Sequence, residues 1–131
     1  MSKSVKELED NLKTYIGLFP NTYTFTKNLA EKSLMKNRGN IKVVIWRPSI
    51  ITSAYKQPFP GWTDSASAAG GLTLLTGYGL LKNINGDGLA PFDIVPVDYV
   101  SNGILIATAY ADMHEEEDFA GIYNCTSSTC N

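Results

Sequence analysis

Val43-Val44-Ile45-Trp46, followed directly by Arg47-Pro48, is the stretch on which the fold turns. A continuously apolar run led by β-branched residues suits a strand covered on both faces. Arg47-Pro48 ends it, because proline has no N–H to give a sheet ladder. Strands of that kind lie between layers of helix, and the flanking sequence supplies the helices. Upstream, Asn21 is placed to cap a helix running to about Asn37, with Gly39 just beyond it as a stop. Pro20 separates it from a first helix, about Ser4 to Ile16, in which Ser4 and Glu7 have capping-box spacing. Downstream, a helix is expected over Leu72 to Leu81 and a short strand at Asp93-Ile94-Val95-Pro96. A helix capped by Asp98 follows, to about Ala111, and a last strand forms at Ile122-Tyr123-Asn124-Cys125. Helices alternating with short apolar strands predict an α/β layer with a mostly parallel sheet.

Between the first strand and the next helix, Thr52 to Gly71 reads as loop, with Pro58, Pro60, Gly61 and several Ser, Ala and Gly residues. Around 20 residues of weak structure inside a compact domain mark a functional loop or a lid. Asn83-Ile84-Asn85-Gly86-Asp87-Gly88 is turn chemistry. Glu115-Glu116-Glu117-Asp118 is a solvated connection between a helix and a strand.

Composition narrows the function classes. The 131 residues are enough for one core and too few for two ordinary domains. A net charge of -2 with scattered Lys and Arg gives no electrostatic case for nucleic acid. The longest nearly apolar stretch, Gly103 to Ala111, is far short of the roughly 20 residues that span a bilayer. No secretory signal is expected from the opening residues, where Met1-Ser2-Lys3-Ser4 leads into the polar run Glu7-Leu8-Glu9-Asp10. Cys125, Cys130 and the single His114 do not make up a four-ligand zinc set, so no metal is expected, and the two cysteines read as reduced thiols.

The chemistry sits in Tyr23-Thr24-Phe25-Thr26-Lys27. A tyrosine and a lysine four residues apart on a helix share one face, one turn apart. An ammonium beside a phenol favours the phenolate and so eases proton transfer near neutral pH. It can also donate hydrogen bonds to a ribose. At 100° per residue, Ala30 and Leu34 continue the Tyr23–Lys27 stripe as an apolar face. Phe25 and Leu29 fall on the opposite side, where a second apolar patch must meet something.

Tyr-x-x-x-Lys alone is a weak pattern; its surroundings make it specific. Phe19 to Glu31 resembles the active-site helix of the fatty acyl-CoA reductases, which are extended short-chain dehydrogenase/reductases. Ile45 to Ser53 is similar to that family's strand and cofactor-side loop. Pro58-Phe59-Pro60-Gly61-Trp62, Asp93 to Val100 and Tyr123 to Ser128 match three further landmarks in the family's order. The resemblance implies NADPH-dependent reduction of a long-chain fatty acyl-CoA, by way of an aldehyde, to a primary alcohol. It makes Tyr23 the proton donor to the carbonyl oxygen, and Lys27 its electrostatic helper and the holder of the nicotinamide ribose. The turn Pro48-Ser49-Ile50-Ile51 would contact the nicotinamide, and Phe59, Pro60 and Trp62 would form an acyl or CoA pocket.

The resemblance has a gap. The family opens with a strand, a Gly-rich turn and a helix that hold the pyrophosphate, and no such unit precedes Tyr23. Gly77-Tyr78-Gly79 comes late, follows no apolar strand, lacks the third glycine and reads as a helix end. Residues 1–131 are therefore expected to be the C-terminal half of the reductase domain. That is a partial doubly wound, Rossmann-like, mostly parallel sheet without its N-terminal dinucleotide-binding half. Such a half is expected to be inactive alone, and to self-associate or pair with a full-length reductase. The alternative is a non-catalytic truncated product that binds acyl chains or pairs with an intact enzyme. The resemblance places a parent protein at the peroxisomal or endoplasmic reticulum membrane, facing the cytosol, while this chain by itself would be soluble and cytoplasmic.

Overall fold

The structure, a computed structural model, describes residues 11, 14–66, 69–116 and 118–128. Of the expected first helix, residues 11 and 14–16 are helical; Ser4 and Glu7 lie outside the described residues. The chain forms two compact units, Met1–Asn40 and Ile41–Asn131.

The first unit is built around helix α1, Thr22–Asn37. Its boundaries follow from local chemistry. The Asn21 side chain accepts the Thr24 N–H at 2.9 Å and satisfies one of the donors a helix start leaves orphaned. Gly39, just past the end, takes φ +58°, a left-handed conformation that costs glycine little. Phe19 packs edge-on against Phe25, with ring centroids 5.6 Å apart, and so fixes the entry of the chain into the helix. This contact gives Phe25 the apolar partner that the sequence requires.

The second unit is an α/β layer of parallel strand pairs: β1 (Val43–Pro48), β2 (Ile50–Thr52), helix α2 (Ala69–Gly77), β3 (Ile94–Pro96), helix α3 (Val97–Met113) and β4 (Ala120–Cys125). β1 pairs in parallel with β4, from Val43 opposite Ala120 to Pro48 opposite Cys125. β2 pairs in parallel with β3, Ile50 opposite Ile94 and Thr52 opposite Pro96. Only Ser49 separates β1 from β2. Its N–H donates to Cys125 at 2.9 Å, and the next N–H, from Ile50, donates to Asp93 at 3.3 Å. The chain thus changes partner strand within one residue.

Three of the differences from the sequence reading exceed a small shift at an element's end. β2 lies where loop was expected from Thr52 onward and a cofactor turn just before it. Helix α2 occupies Ala69–Gly77, not Leu72–Leu81. Asp98 stands in the first turn of α3 and does not cap it; the N-cap position is Pro96. The physical reasons are tertiary. β2 is held by β3, and Gly70 and Gly71 let α2 start directly against the Ser65 and Ala66 carbonyls, where a Cβ would collide.

α3 contacts all four strands, and its buried side chains are Asp98, Val100, Ala107 and Ala111. Gly103 permits this close packing, since a Cβ there would run into the Trp46 indole. At the other end of α3 the Lys42 ammonium donates to the Asp112 carbonyl at 2.9 Å and the His114 carbonyl at 2.6 Å, placing a cation where the helix dipole is negative. The core is completed by Ile45, Ala54, Ala69 and Val95.

Candidate active site

The Tyr23–Lys27 pair forms as the helical spacing requires. Both residues lie on α1, and the Lys27 ammonium sits 5.6 Å from the centroid of the Tyr23 ring. Tyr23 is 67% exposed, so its hydroxyl is open to a ligand. The stripe that continues through Ala30 and Leu34 is exposed as well; the half-buried face of α1 is Thr24, Asn28, Glu31 and Met35. The Tyr23–Lys27 pair therefore sits on an open face of its helix.

In the second unit, Pro48 ends β1, Ser49 is the hinge between the two strand pairs, and Ile50 and Ile51 belong to β2. Ser49 is half-buried, and its hydroxyl makes no hydrogen bond of ordinary geometry among the described residues. Pro48 is half-buried, while Ile50 and Ile51 are exposed. This hinge lies at the C-terminal end of a parallel strand, the end at which such folds bind ligands.

Phe59, Pro60 and Trp62 stand in one closed loop. The Ala54 N–H donates to the Trp62 carbonyl at 2.8 Å, and the Gly61 N–H donates back to Ala54 at 2.8 Å. At the tip, the Trp62 N–H reaches the Phe59 carbonyl at 3.1 Å across Pro60-Gly61, with Gly61 at φ +84°. Proline followed by a left-handed glycine is the sequence of a type II turn. Phe59 is 59% exposed and Trp62 half-buried.

Sequence reasoning missed two residues that hold these parts. Asp98 is buried, at 8% exposure, and its carboxylate accepts three consecutive backbone N–H groups: Tyr55 at 3.0 Å, Lys56 at 2.9 Å and Gln57 at 3.2 Å. These bonds, Tyr55 first, pull its pKa down to about 2 against the opposing effect of burial. Asp93, at the other end of β3, accepts the Ser127 N–H at 2.7 Å, the Ser127 hydroxyl at 3.0 Å and the Ser128 hydroxyl at 2.8 Å. The Ser127 N–H, then the Ser128 hydroxyl, hold its carboxyl well below the usual carboxylate range. One signal was available: an aspartate on each side of the short apolar run Ile94-Val95-Pro96-Val97, where a charge needs a partner.

A cleft of about 390 Å³ lies against α3, lined by Trp46, Tyr99, Asn102, Gly103, Ile106 and Cys125. Burial, then the charge of Asp93, raises the pKa of the Cys125 thiol. Cys125 is free, and Cys130 lies outside the described residues. No helix among the described residues is long and apolar enough to cross a membrane.

These parts, a Tyr–Lys helix and a parallel-strand layer with an aromatic loop, can be compared with known proteins. The model of an NAD-binding family described as male sterility protein matches residues 1–104. The chain belongs to the male sterility protein family. Among curated relatives, it is 40% identical over 116 residues to fatty acyl-CoA reductase 1 of Homo sapiens, covering 88% of this chain and 22% of that protein. It is 38% identical over 124 residues to fatty acyl-CoA reductase 2 of Mus musculus, covering 95% of this chain and 24% of that protein. Fatty acyl-CoA reductase 2 of Bos taurus is 38% identical over 116 residues. The chain thus spans less than a quarter of the length of the curated relatives it matches. The resemblance to fatty acyl-CoA reductases is borne out, as is the α/β class.

A male sterility family chain implies a nicotinamide cofactor, and two places here can be tested for fit. Tyr23 and Lys27 offer a hydroxyl and an ammonium on an open helix face, which suits a ribose and a reacting carbonyl. Gly77-Tyr78-Gly79 does not suit a pyrophosphate. Its N–H groups are used to end α2: Tyr78 donates to Leu74 at 2.9 Å, and Gly79 to Thr76 at 3.0 Å. Leu80 then donates to Leu75 at 2.9 Å, and Gly79 has φ +70°. That is a helix C-terminus, as the sequence suggests.

Proposed function

We propose that the chain is the catalytic-helix and substrate-side part of an NADPH-dependent fatty acyl-CoA reductase that makes long-chain primary alcohols. Residues 1–131 are then the C-terminal half of its extended short-chain dehydrogenase/reductase domain. The observation that carries this reading is the Tyr23–Lys27 pair, one turn apart and open to ligand, in a chain of this family. NADPH supplies the hydride. Tyr23 gives the proton to the carbonyl oxygen. Lys27, beside it, would stabilise the phenolate left behind and hold the nicotinamide ribose. Pro48, Ser49, Ile50 and Ile51 would contact the nicotinamide, and the aromatic loop with Phe59, Pro60 and Trp62 would take the acyl or CoA part. The work is done at the cytosolic face of the peroxisomal or endoplasmic reticulum membrane.

Without a phosphate-binding turn to anchor the cofactor, the 131-residue chain alone does not turn over substrate. Calorimetry with NADPH tests the cofactor site, with Lys27→Ala as control. Micromolar binding that disappears in the control supports a site built on α1. Equal binding in both proteins overturns the role of Lys27. Long-chain alcohol formation by the purified chain overturns its inactivity.

A second reading is favoured by the apolar surface of α3, where Leu105, Ile106 and Met113 are 68%, 69% and 81% exposed. In it the chain is non-catalytic and binds acyl chains or pairs with an intact reductase. Co-purification with a full-length reductase, without NADPH binding by the chain itself, selects this reading.

A further inference from the structure

The loop from Ala54 to Trp62 is short of internal support. Two backbone hydrogen bonds close its base and one closes its tip, while Tyr55 to Gly61 are exposed. Its first limb would leave three successive N–H groups pointing the same way. The Asp98 carboxylate fills that concavity, with one oxygen on Tyr55 and the other on Lys56 and Gln57. Consecutive backbone N–H groups that converge on an anion form a nest, and a charge-assisted acceptor is the strong partner for it. Asp98 is itself held rigidly. It is buried in the first turn of α3, and Val100, Ala107 and Ala111 of that helix lie in the core. Beside the carboxylate, Tyr99 meets Tyr55 edge-on with centroids 6.0 Å apart, and the Lys56 ammonium sits 5.2 Å from the Tyr55 ring centroid.

We propose that Asp98 is the positioning residue of the Ala54–Trp62 loop: its carboxylate fixes one loop conformation, the one that presents Phe59 and Trp62 to the acyl-CoA. The second clause rests on the reading of that loop as substrate-binding; the first does not. Asp98 touches no substrate. It acts through backbone N–H groups, so the side chains of residues 55–57 can vary without loss of the anchor. Asp93, just before β3, does the same for the segment after β4 through Ser127 and Ser128, so an anchoring carboxylate lies on each side of β3.

Amide exchange followed by NMR on the full 131-residue chain tests the positioning. In Asp98→Asn, exchange at Tyr55, Lys56 and Gln57 is expected to rise about tenfold or more, because an amide cannot accept all three bonds. Ala54 and Gly61, whose N–H groups do not touch Asp98, are expected to rise with them. Val43 and Ser49, in the β1–β4 ladder, keep their wild-type rates. Unchanged rates at Ala54 and Gly61 overturn the proposal. If the variant does not fold, the wild-type chain answers by acid titration. The amide shifts of residues 55–57 move together with one midpoint below the ordinary carboxylate range, and separate midpoints or no shift overturn it. The other ionisable side chains at this junction are Tyr55, Lys56 and Tyr99, and none is a carboxylate. Palmitoyl-CoA calorimetry supplies the functional arm. Binding about tenfold weaker in Asp98→Asn supports positioning, and unchanged binding with a loosened loop overturns it. A wild-type chain that binds no palmitoyl-CoA sinks the substrate reading alone, and the exchange rates still decide on Asp98.

Discussion

Lys27 and Tyr23 stand side by side because both lie on the same face of α1, and the proposed proton transfer needs both. Tyr23→Phe deletes the proposed proton donor and keeps the ring beside Lys27. In an active reductase carrying this helix, loss of a general acid is expected to lower kcat by about 10²- to 10⁴-fold with little change in KM, read by steady-state kinetics. The two aspartates matter through pH. Asp98 is depressed from 3.8 to about 2 in the folded chain. Its stabilising contribution is therefore complete above the unfolded value and is lost as pH falls through about 2. Asp93 is displaced in the same direction. Acid unfolding followed by circular dichroism should show stability falling between about pH 4 and pH 2, and Asp98→Asn should flatten that dependence. The side-by-side placing of Tyr23 and Lys27 was legible because it needs only helical spacing. The aspartates were not, because their partners lie 41–43 residues away for Asp98 and 34–35 for Asp93.

Elements show the same division. α1 is specified locally, by Asn21 at one end and Gly39 at the other, and its boundaries agree with the sequence reading. Asn21→Ala should cost about 1 kcal/mol of helix stability, measured as a lower urea midpoint at an unchanged slope. α3 depends on a contact that no local pattern reports. A glycine inside a helix is unfavourable on local grounds, yet the Trp46 ring fills the space a side chain at Gly103 would occupy. Gly103→Ala, a gain in helix propensity on local grounds, should instead destabilise by about 1–3 kcal/mol through overpacking, seen in the same denaturation series. β2 escaped notice because three residues are too few to show a period. It exists because Ile50, Ile51 and Thr52 find β3 beside them.

At the scale of the whole molecule, the balance between core and surface is unusual. The buried apolar side chains are Ile45, Val95, Val100 and four alanines, and no large side chain among the described residues is wholly removed from water. Against this, Leu18, Leu89, Leu80, Tyr78, Leu105, Ile106 and Met113 are exposed. Exposed apolar surface on that scale favours association, and a core of three β-branched side chains and four alanines supplies little stability. The isolated chain should self-associate as its concentration rises, measured by light scattering coupled to gel filtration, and should unfold broadly when dilute. A sharp two-state calorimetric transition from a dilute monomer is the result that contradicts this expectation.

The amino-acid sequence by itself determined the α/β class, the extent of α1, the Tyr–Lys pair and the family. All of these are written in short-range patterns: capping residues, helical spacing, apolar β-branched runs and the order of landmarks. Only the tertiary structure decided that the strands form two parallel pairs exchanging partners at Ser49, and that Gly103 makes room for Trp46. It also decided that Asp93 and Asp98 strap distant segments to β3. The physical reason is the reach of the forces. Backbone propensities act over a few residues, whereas a buried carboxylate must find donors wherever the fold brings them.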